Sequence, residues 1–164
     1  RSDGVFECIR YGELYTTYGQ VITTIKSRTN ISPSESILSQ SGDVIIPASG
    51  ETQIDIATAS CVLQDNIALS GDLNIFRTKE NGIFLSYLIR SKLKMQIAQL
   101  AQGNSVVHLY ASQLKGVSFS LPCLEEQTKI ANFLSAIDQK IEVTSQQIEQ
   151  AKQWKKGLLQ QMFV

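Results

Sequence analysis

From Glu125 to Val164 an apolar residue returns at alternating gaps of four and three. Ile130, Leu134, Ile137, Ile141, Ile148, Ala151, Leu158 and Met162 hold that register, and Thr144 and Lys155 fill its two polar slots. The spacing predicts a heptad stripe along one side of a single α-helix. At about 1.5 Å per residue such a helix is a rod roughly 55–60 Å long. A rod of that length cannot bury its whole apolar side against the preceding part of the chain. It requires a second helix, and the chain reads as a globular portion carrying a docking rod.

The residues before Glu125 are numerous enough to bury a core, and 43% hydrophobic content is ordinary for a folded domain. Fifteen Lys and Arg balance fifteen Asp and Glu, and each part balances separately: ten against ten in 1–124, five against five in 125–164. Neutrality removes any general attraction to nucleic acid or anionic membrane, so a nucleic-acid site has to be a local patch or lean on basic partner subunits. Cys8, Cys61 and Cys123 are isolated and odd in number, which argues against zinc and a disulfide scaffold and for a reducing compartment. No apolar run approaches membrane-spanning length and no signal peptide is recognisable, so a cytoplasmic location is expected. The opening Arg1-Ser2-Asp3, without an initiator methionine, suggests a fragment or a processed chain.

Before the rod the pattern is mainly of short strands. Ile9–Tyr11, Leu14–Tyr18 and Gln20–Lys26 read as extended, and Glu35–Leu38 as a short helix after a turn at Pro33. Val44–Ile46 is a buried strand stopped by Pro47, Ser49–Glu51 a loop, and Ile56–Leu63, Ile67–Leu69 and Leu73–Arg77 are strands. Phe84, Leu85, Leu88, Ile89, Leu93, Ile97 and Leu100 are spaced for one helix from about Ile83 to Ala101, with Gly103 as terminator. Val106–Leu109 and Val117–Leu121 return to strand, and the long helix begins near Leu124. The fold class expected is α+β: a mixed, β-rich globular portion over 1–123, then a long coiled-coil-forming helix over 124–164.

Phosphate-binding, dinucleotide-binding and hydrolytic signature motifs are absent, so no cofactor and no metal is expected. Asp43, Glu51 and Asp55 are the nearest approach to clustered carboxylates, and turn or edge roles suit them better than catalysis. His108 has no adjacent ligand set; it fits a structural hydrogen bond or a polar contact to a ligand. The Gly103-Asn104-Ser105 loop before it can present backbone N–H groups and short side chains to a phosphate. Arg90, Lys92 and Lys94 read as the solvated side of a helix that could also face a phosphate.

The run from Leu121 to Ile141 resembles the conserved region of the DNA specificity subunit of type I restriction–modification enzymes. Pro122, Glu126, Gln127, Lys129, Ile130, Leu134, Asp138 and Ile141 match that family's pattern, whereas Cys123 stands where a second proline is usual. Gly42-Asp43-Val44-Ile45-Ile46 with Ser49-Gly50 resembles its Gly-Asp-aliphatic element, and Gly103–Leu109 its small-residue loop. The resemblance covers nearly the whole chain. It implies a target recognition domain over 1–123, with its N-terminal edge before Tyr11-Gly12-Glu13-Leu14 mostly missing, and a spacer or dimerisation helix over 124–164.

The implied function is sequence-specific recognition of double-stranded DNA by a non-catalytic subunit. Its implied partners are methyltransferase subunits, motor and endonuclease subunits, and a second helix of the same kind from the intact chain or another copy. The alternative is a coiled-coil interaction or oligomerisation module that reads no DNA. Recognition loops differ among such proteins, so candidate contacts are chosen by chemistry: Tyr11, Tyr18, Lys26 and Arg28; Ser49 and Gly50; Arg77 and Lys79; Asn104, Ser105 and His108. The loops around Ser49, Lys79 and Asn104 are expected to share one concave side. The helix–helix interface is expected along Ile130, Leu134, Ile137, Ile141, Ile148, Ala151, Leu158 and Met162.

Overall fold

A computed structural model describes residues 4–103 and 106–163, which divide into two compact units, Arg1–Thr128 and Lys129–Val164. In chain order the elements are β1 (Phe6–Ile9), α1 (Glu13–Thr16), β2 (Val21–Ile22), β3 (Ser27–Thr29), a 3-10 turn (Pro33–Glu35), β4 (Ile37–Leu38), β5 (Val44–Pro47), β6 (Ser49–Gly50) and α2 (Gln53–Ile56). They continue with β7 (Ser60–Val62), β8 (Ala68–Leu69), β9 (Leu73–Phe76), α3 (Gly82–Arg90), α4 (Lys94–Leu100), β10 (Val107–His108), α5 (Ala111–Leu114) and α6 (Leu124–Met162). The class is α+β, and α6 runs unbroken for 39 residues. No helix among the described residues is long and apolar enough to cross a membrane.

The strands form one sheet in the order β3-β1-β8-β4, a second in the order β2-β7-β5-β9, and a two-stranded ribbon of β10 and β6. Ile9 and Leu69 from the first sheet meet Ile22, Ile45 and Val62 from the second, and Leu14 and Tyr18 complete this core. On β5, Val44 and Ile46 point the other way and line a cavity with Leu85, Ile89, Ile97 and Leu114 from the helices. A strand covered on both faces is apolar without alternation, which is why Val44-Ile45-Ile46 reads as a continuous run. Pro47, expected to stop the strand after Ile46, is instead its last residue. It pairs only with Leu73 of β9, because the β7 ladder stops at Ile45, so its missing N–H costs no ladder bond on that side.

Several short elements differ from the sequence expectation. Leu14–Tyr18 is not a strand: Glu13–Thr16 is helical, because the Glu13 carboxylate turns back to accept the Arg10 backbone N–H at 2.9 Å. That carboxylate is buried, paired with the Arg10 guanidinium at 2.9 Å and hydrogen-bonded by the Ser27 hydroxyl. The helix expected at Glu35–Leu38 is a single 3-10 turn capped by Ser32, and Ile37 and Leu38 pair with β8 instead. Ile56–Leu63 begins as the end of α2, whose first turn Thr52 caps by accepting the Asp55 N–H at 3.1 Å. Ser49 and Gly50 are paired with β10, not looped. Val117–Leu121 forms no strand, and α5 stands just before it.

The single helix expected from Ile83 to Ala101 is broken between Arg90 and Lys94. Ser91 donates its hydroxyl to the Tyr87 carbonyl at 2.6 Å, a local bond that competes with the helical ladder. At the other end of α3, Gly82 is buried so closely that a Cβ there would lie 2.3 Å from the Gly42 carbonyl oxygen. Within the second unit, Ile137, Ile141, Ile148, Leu158 and Met162 of α6 are exposed, Ile141 by 58% and Ile148 by 51%; Ala151 is exposed too, and Ile130 and Leu134 are half-buried.

Candidate nucleic-acid interface

The β6–β10 ribbon brings three candidate residues together. Ser49 pairs with His108 and Gly50 with Val107, and the buried Ser49 hydroxyl lies 3.1 Å from His108 Nδ1. His108 is exposed, its backbone bridges to Gln102, and its ring stacks on Tyr110 with centroids 6.3 Å apart. The result is a structural hydrogen bond on one ring edge and an open imidazole on the other. Gly103 turns the chain back at φ +130°, where a Cβ would lie 2.0 Å from the Val106 carbonyl oxygen. Asn104 and Ser105 lie outside the described residues.

The N-terminal candidates divide. Tyr18 is buried and its hydroxyl accepts the Lys26 N–H at 2.9 Å, so it serves the core; burial raises its pKa. Tyr11 is half-buried and its N–H donates to the Ser70 hydroxyl at 3.2 Å. Burial raises the pKa of the neighbouring Tyr15 as well, helped by the charges of Tyr11, Glu51 and Asp55. Lys26 and Arg28 are exposed, and Arg28 donates to the Val5 carbonyl at 2.9 Å. Arg28 also borders a groove of about 610 Å³ on the β3-β1-β8-β4 sheet, together with Arg10, Asn30, Glu35, Ser36 and Ser70.

Arg77 is committed to the fold. Its guanidinium pairs with the buried Asp43 carboxylate at 3.0 Å and donates to the Leu38 carbonyl at 2.6 Å, closing the turn before β5. Asp43 is thus a turn residue, Asp55 accepts the Thr52 hydroxyl in the cap of α2, and Glu51 is exposed. Lys79 is exposed. The β5–β9 register pairs Val44 with Phe76 and Pro47 with Leu73, so Ser49 and Lys79 leave that ladder at opposite ends. The loops of Ser49 and Lys79, expected to share one concave side, are therefore separated: Ser49 sits with His108, and Lys79 follows the other end of the ladder. Among the described residues, no group of three or more His, Cys, Asp or Glu side chains is placed to hold a metal.

Two residues carry more of the architecture than their sequence setting announces. Arg90, read as part of a solvated run, reaches inward: Nε donates to the Ala59 carbonyl at 2.6 Å, and the terminal nitrogen to the Leu14, Tyr18 and Gly19 carbonyls at 2.8, 3.0 and 3.1 Å. Gln127, in the first turn of α6, is fully buried. Its amide oxygen accepts the Asn81 N–H at 3.0 Å, and its nitrogen donates to Glu80 at 2.6 Å and to the Pro122 carbonyl at 2.9 Å. The Asn81 side chain in turn caps α3 through the Phe84 N–H at 2.9 Å. A long-range carbonyl cluster leaves no local pattern around Arg90. The Glu-Gln pair after Pro122 was the available signal for Gln127.

Comparison with known proteins agrees with this architecture. A protein of Methanocaldococcus jannaschii described as the specificity subunit of the type I restriction enzyme MjaX is 34% identical over 99 residues, covering 56% of this chain and 23% of that protein. The crystal structure of a type I restriction–modification system S subunit from M. genitalium superposes with a TM-score of 0.53 at 20% identity, covering 87% of this chain and 34% of that one. At that identity the likeness is one of fold. The chain therefore spans about a quarter to a third of the length of these relatives. Residues 2–153 match the type I restriction modification DNA specificity domain, and the chain belongs to that family.

Proposed function

We propose that this chain is one half of a type I specificity subunit: a target recognition domain over 1–123 that reads duplex DNA, and a spacer helix over 124–164 that pairs with a second helix of the same kind. The family match over residues 2–153, which takes in both the globular portion and most of the rod, carries this reading. In it the chain performs no chemistry. It directs methyltransferase subunits, and with them motor and endonuclease subunits, to a sequence, and it works in the cytoplasm. The neutral charge of the globular portion fits a division of labour in which partner subunits supply most of the phosphate contacts.

The test is turnover. Pure chain incubated with duplex DNA, magnesium, ATP and a methyl donor should neither methylate nor cut nor hydrolyse ATP. The full-length subunit assembled with methyltransferase subunits should methylate a defined sequence. Turnover that co-purifies with the chain alone and disappears on its mutation contradicts the reading. The alternative of a pure oligomerisation module has the exposed apolar side of α6 in its favour; it requires that the assembled complex show no sequence preference that depends on residues 1–123.

A further inference from the structure

From Val106 to Tyr110 the chain alternates between outside and inside. Val107 and Leu109 are buried, whereas Val106, His108 and Tyr110 are exposed, Val106 by 50% and Tyr110 by 57%. The inward residues are anchored. The Leu109 N–H donates to the Ala48 carbonyl at 2.9 Å, its carbonyl accepts from Asn74 Nδ2 at 3.0 Å, and Val107 pairs with Gly50. That anchoring fixes the direction of the three outward side chains.

Gln102 joins the same outer face from the other arm of the turn at Gly103. Its N–H donates to the His108 carbonyl at 2.9 Å, and the His108 N–H donates to the Gln102 carbonyl at 2.7 Å. Directly opposed residues of an antiparallel pair put their side chains on one face. Ser49 opposes His108 on its other flank, so the row across the ribbon runs Ser49, His108, Gln102. The Ser49 end of the row is closed, its hydroxyl buried against His108 Nδ1. The Gln102 end is open: the residue is exposed, and its side-chain amide makes no hydrogen bond among the described residues. The backbone beneath it is held, because Ala101 is buried and the Leu100 carbonyl accepts from Gln113 Nε2 at 2.7 Å.

With His108 neutral, the outer face of Gln102, Val106, His108 and Tyr110 carries no formal charge. It adds little attraction for phosphates. It does present an amide that donates and accepts side by side, which matches the N6 and N7 edge of adenine, and an apolar side chain suited to the methyl group of thymine. The face is exposed rather than recessed, and a β-ribbon is narrow enough to enter the major groove.

We propose that this outer face of the ribbon lies in the major groove of duplex DNA, with Gln102 as a specificity-determining residue that reads an adenine. The proposal rests on the DNA-reading function above and adds to the Ser49–His108 pair a residue that sequence chemistry did not single out.

The experiment uses the full-length subunit assembled with its methyltransferase subunits, acting on a library of randomised duplexes, with the methylated sequences read out. Gln102→Ala should relax the preference at one A·T position, costing about 5- to 150-fold on the cognate site and little elsewhere. The salt dependence of binding should be unchanged. Gln102→Glu keeps the size of the side chain but loses its donor, so it should turn the same position away from adenine and toward cytosine. Both changes are at an exposed side chain whose hydrogen bonds are made by its backbone, so both variants should fold. If they keep the wild-type preference at every position while the wild-type complex is selective, DNA reading stands and the assignment of Gln102 falls. A uniform loss of affinity with a shallower salt slope also overturns it, because that marks a phosphate contact. A wild-type complex without any sequence preference removes both the assignment and the reading on which it rests.

Discussion

Arg90 ties together three segments far apart in sequence: the carbonyls of Leu14, Tyr18 and Gly19 after β1, Ala59 before β7, and its own helix. Burial lowers its pKa, yet the four carbonyls and the Ser60 hydroxyl at 3.2 Å compensate the charge. Arg90→Leu leaves buried acceptors without a donor, and should destabilise the globular unit by about 3–5 kcal/mol, read as a shift in urea midpoint at unchanged slope. Arg90→Lys should recover only part of this, since an ammonium cannot span the same fork.

Cys61 gives the unit a pH dependence at the alkaline end. Burial, and then the nearby Asp43 carboxylate, push its thiol from the ordinary 9.0 up to about 12. Above 9.0 the unfolded chain releases this proton while the folded chain keeps it, so stability contributed at lower pH is lost as pH rises through that window. Urea midpoints of wild type and Cys61→Ala, compared at about pH 8 and about pH 10, should converge as pH rises. A gap independent of pH would show that the thiol does not titrate differently in the two states.

Among the elements, α6 was legible because its heptad register runs from Ile130 to Met162, and a signal that long survives polar exceptions such as Thr144 and Lys155. The strands were legible only in part. β2, β4, β6, β8 and β10 are two residues each, too short for alternation to show, and their partners lie far along the chain. The four-residue helices α1 and α2 depend on single side-chain bonds, from the Glu13 carboxylate to the Arg10 N–H and from the Thr52 cap to the Asp55 N–H, which strand-like composition concealed. The ribbon of Ser49 and His108 could be suspected from polar residues beside glycine; the separation of Lys79 from it could not, because it follows from the β5–β9 register.

The rod's exposed stripe should be covered by another helix, each large apolar side chain contributing roughly 1.5–3 kcal/mol at full burial. Trp154 is the chain's only tryptophan, is 72% exposed, and is spaced three and four residues from Ala151 and Leu158 on the stripe. Its fluorescence should shift to the blue as protein concentration rises, in step with a mass increase in sedimentation. Ile141→Asp combined with Ile148→Asp should abolish both changes. A wild type that stays monomeric at high concentration, with Trp154 emission constant, counts against pairing through this face unless the second helix lies in the same full-length chain, which the intact subunit would then show.

For the whole molecule, the proposed function requires that the globular portion read sequence and the rod set spacing. The most direct measurement exchanges residues 1–123 of the full-length subunit for the corresponding portion of a relative with a different target, leaving 124–164 in place. The exchanged subunit is assembled with methyltransferase subunits and the methylated sequences of a host genome are read. The part of the target read by this half should switch to the donor's sequence, with the spacing between half-sites unchanged. A target that stays the same after the exchange, or that changes only when residues 124–164 are replaced, would contradict it.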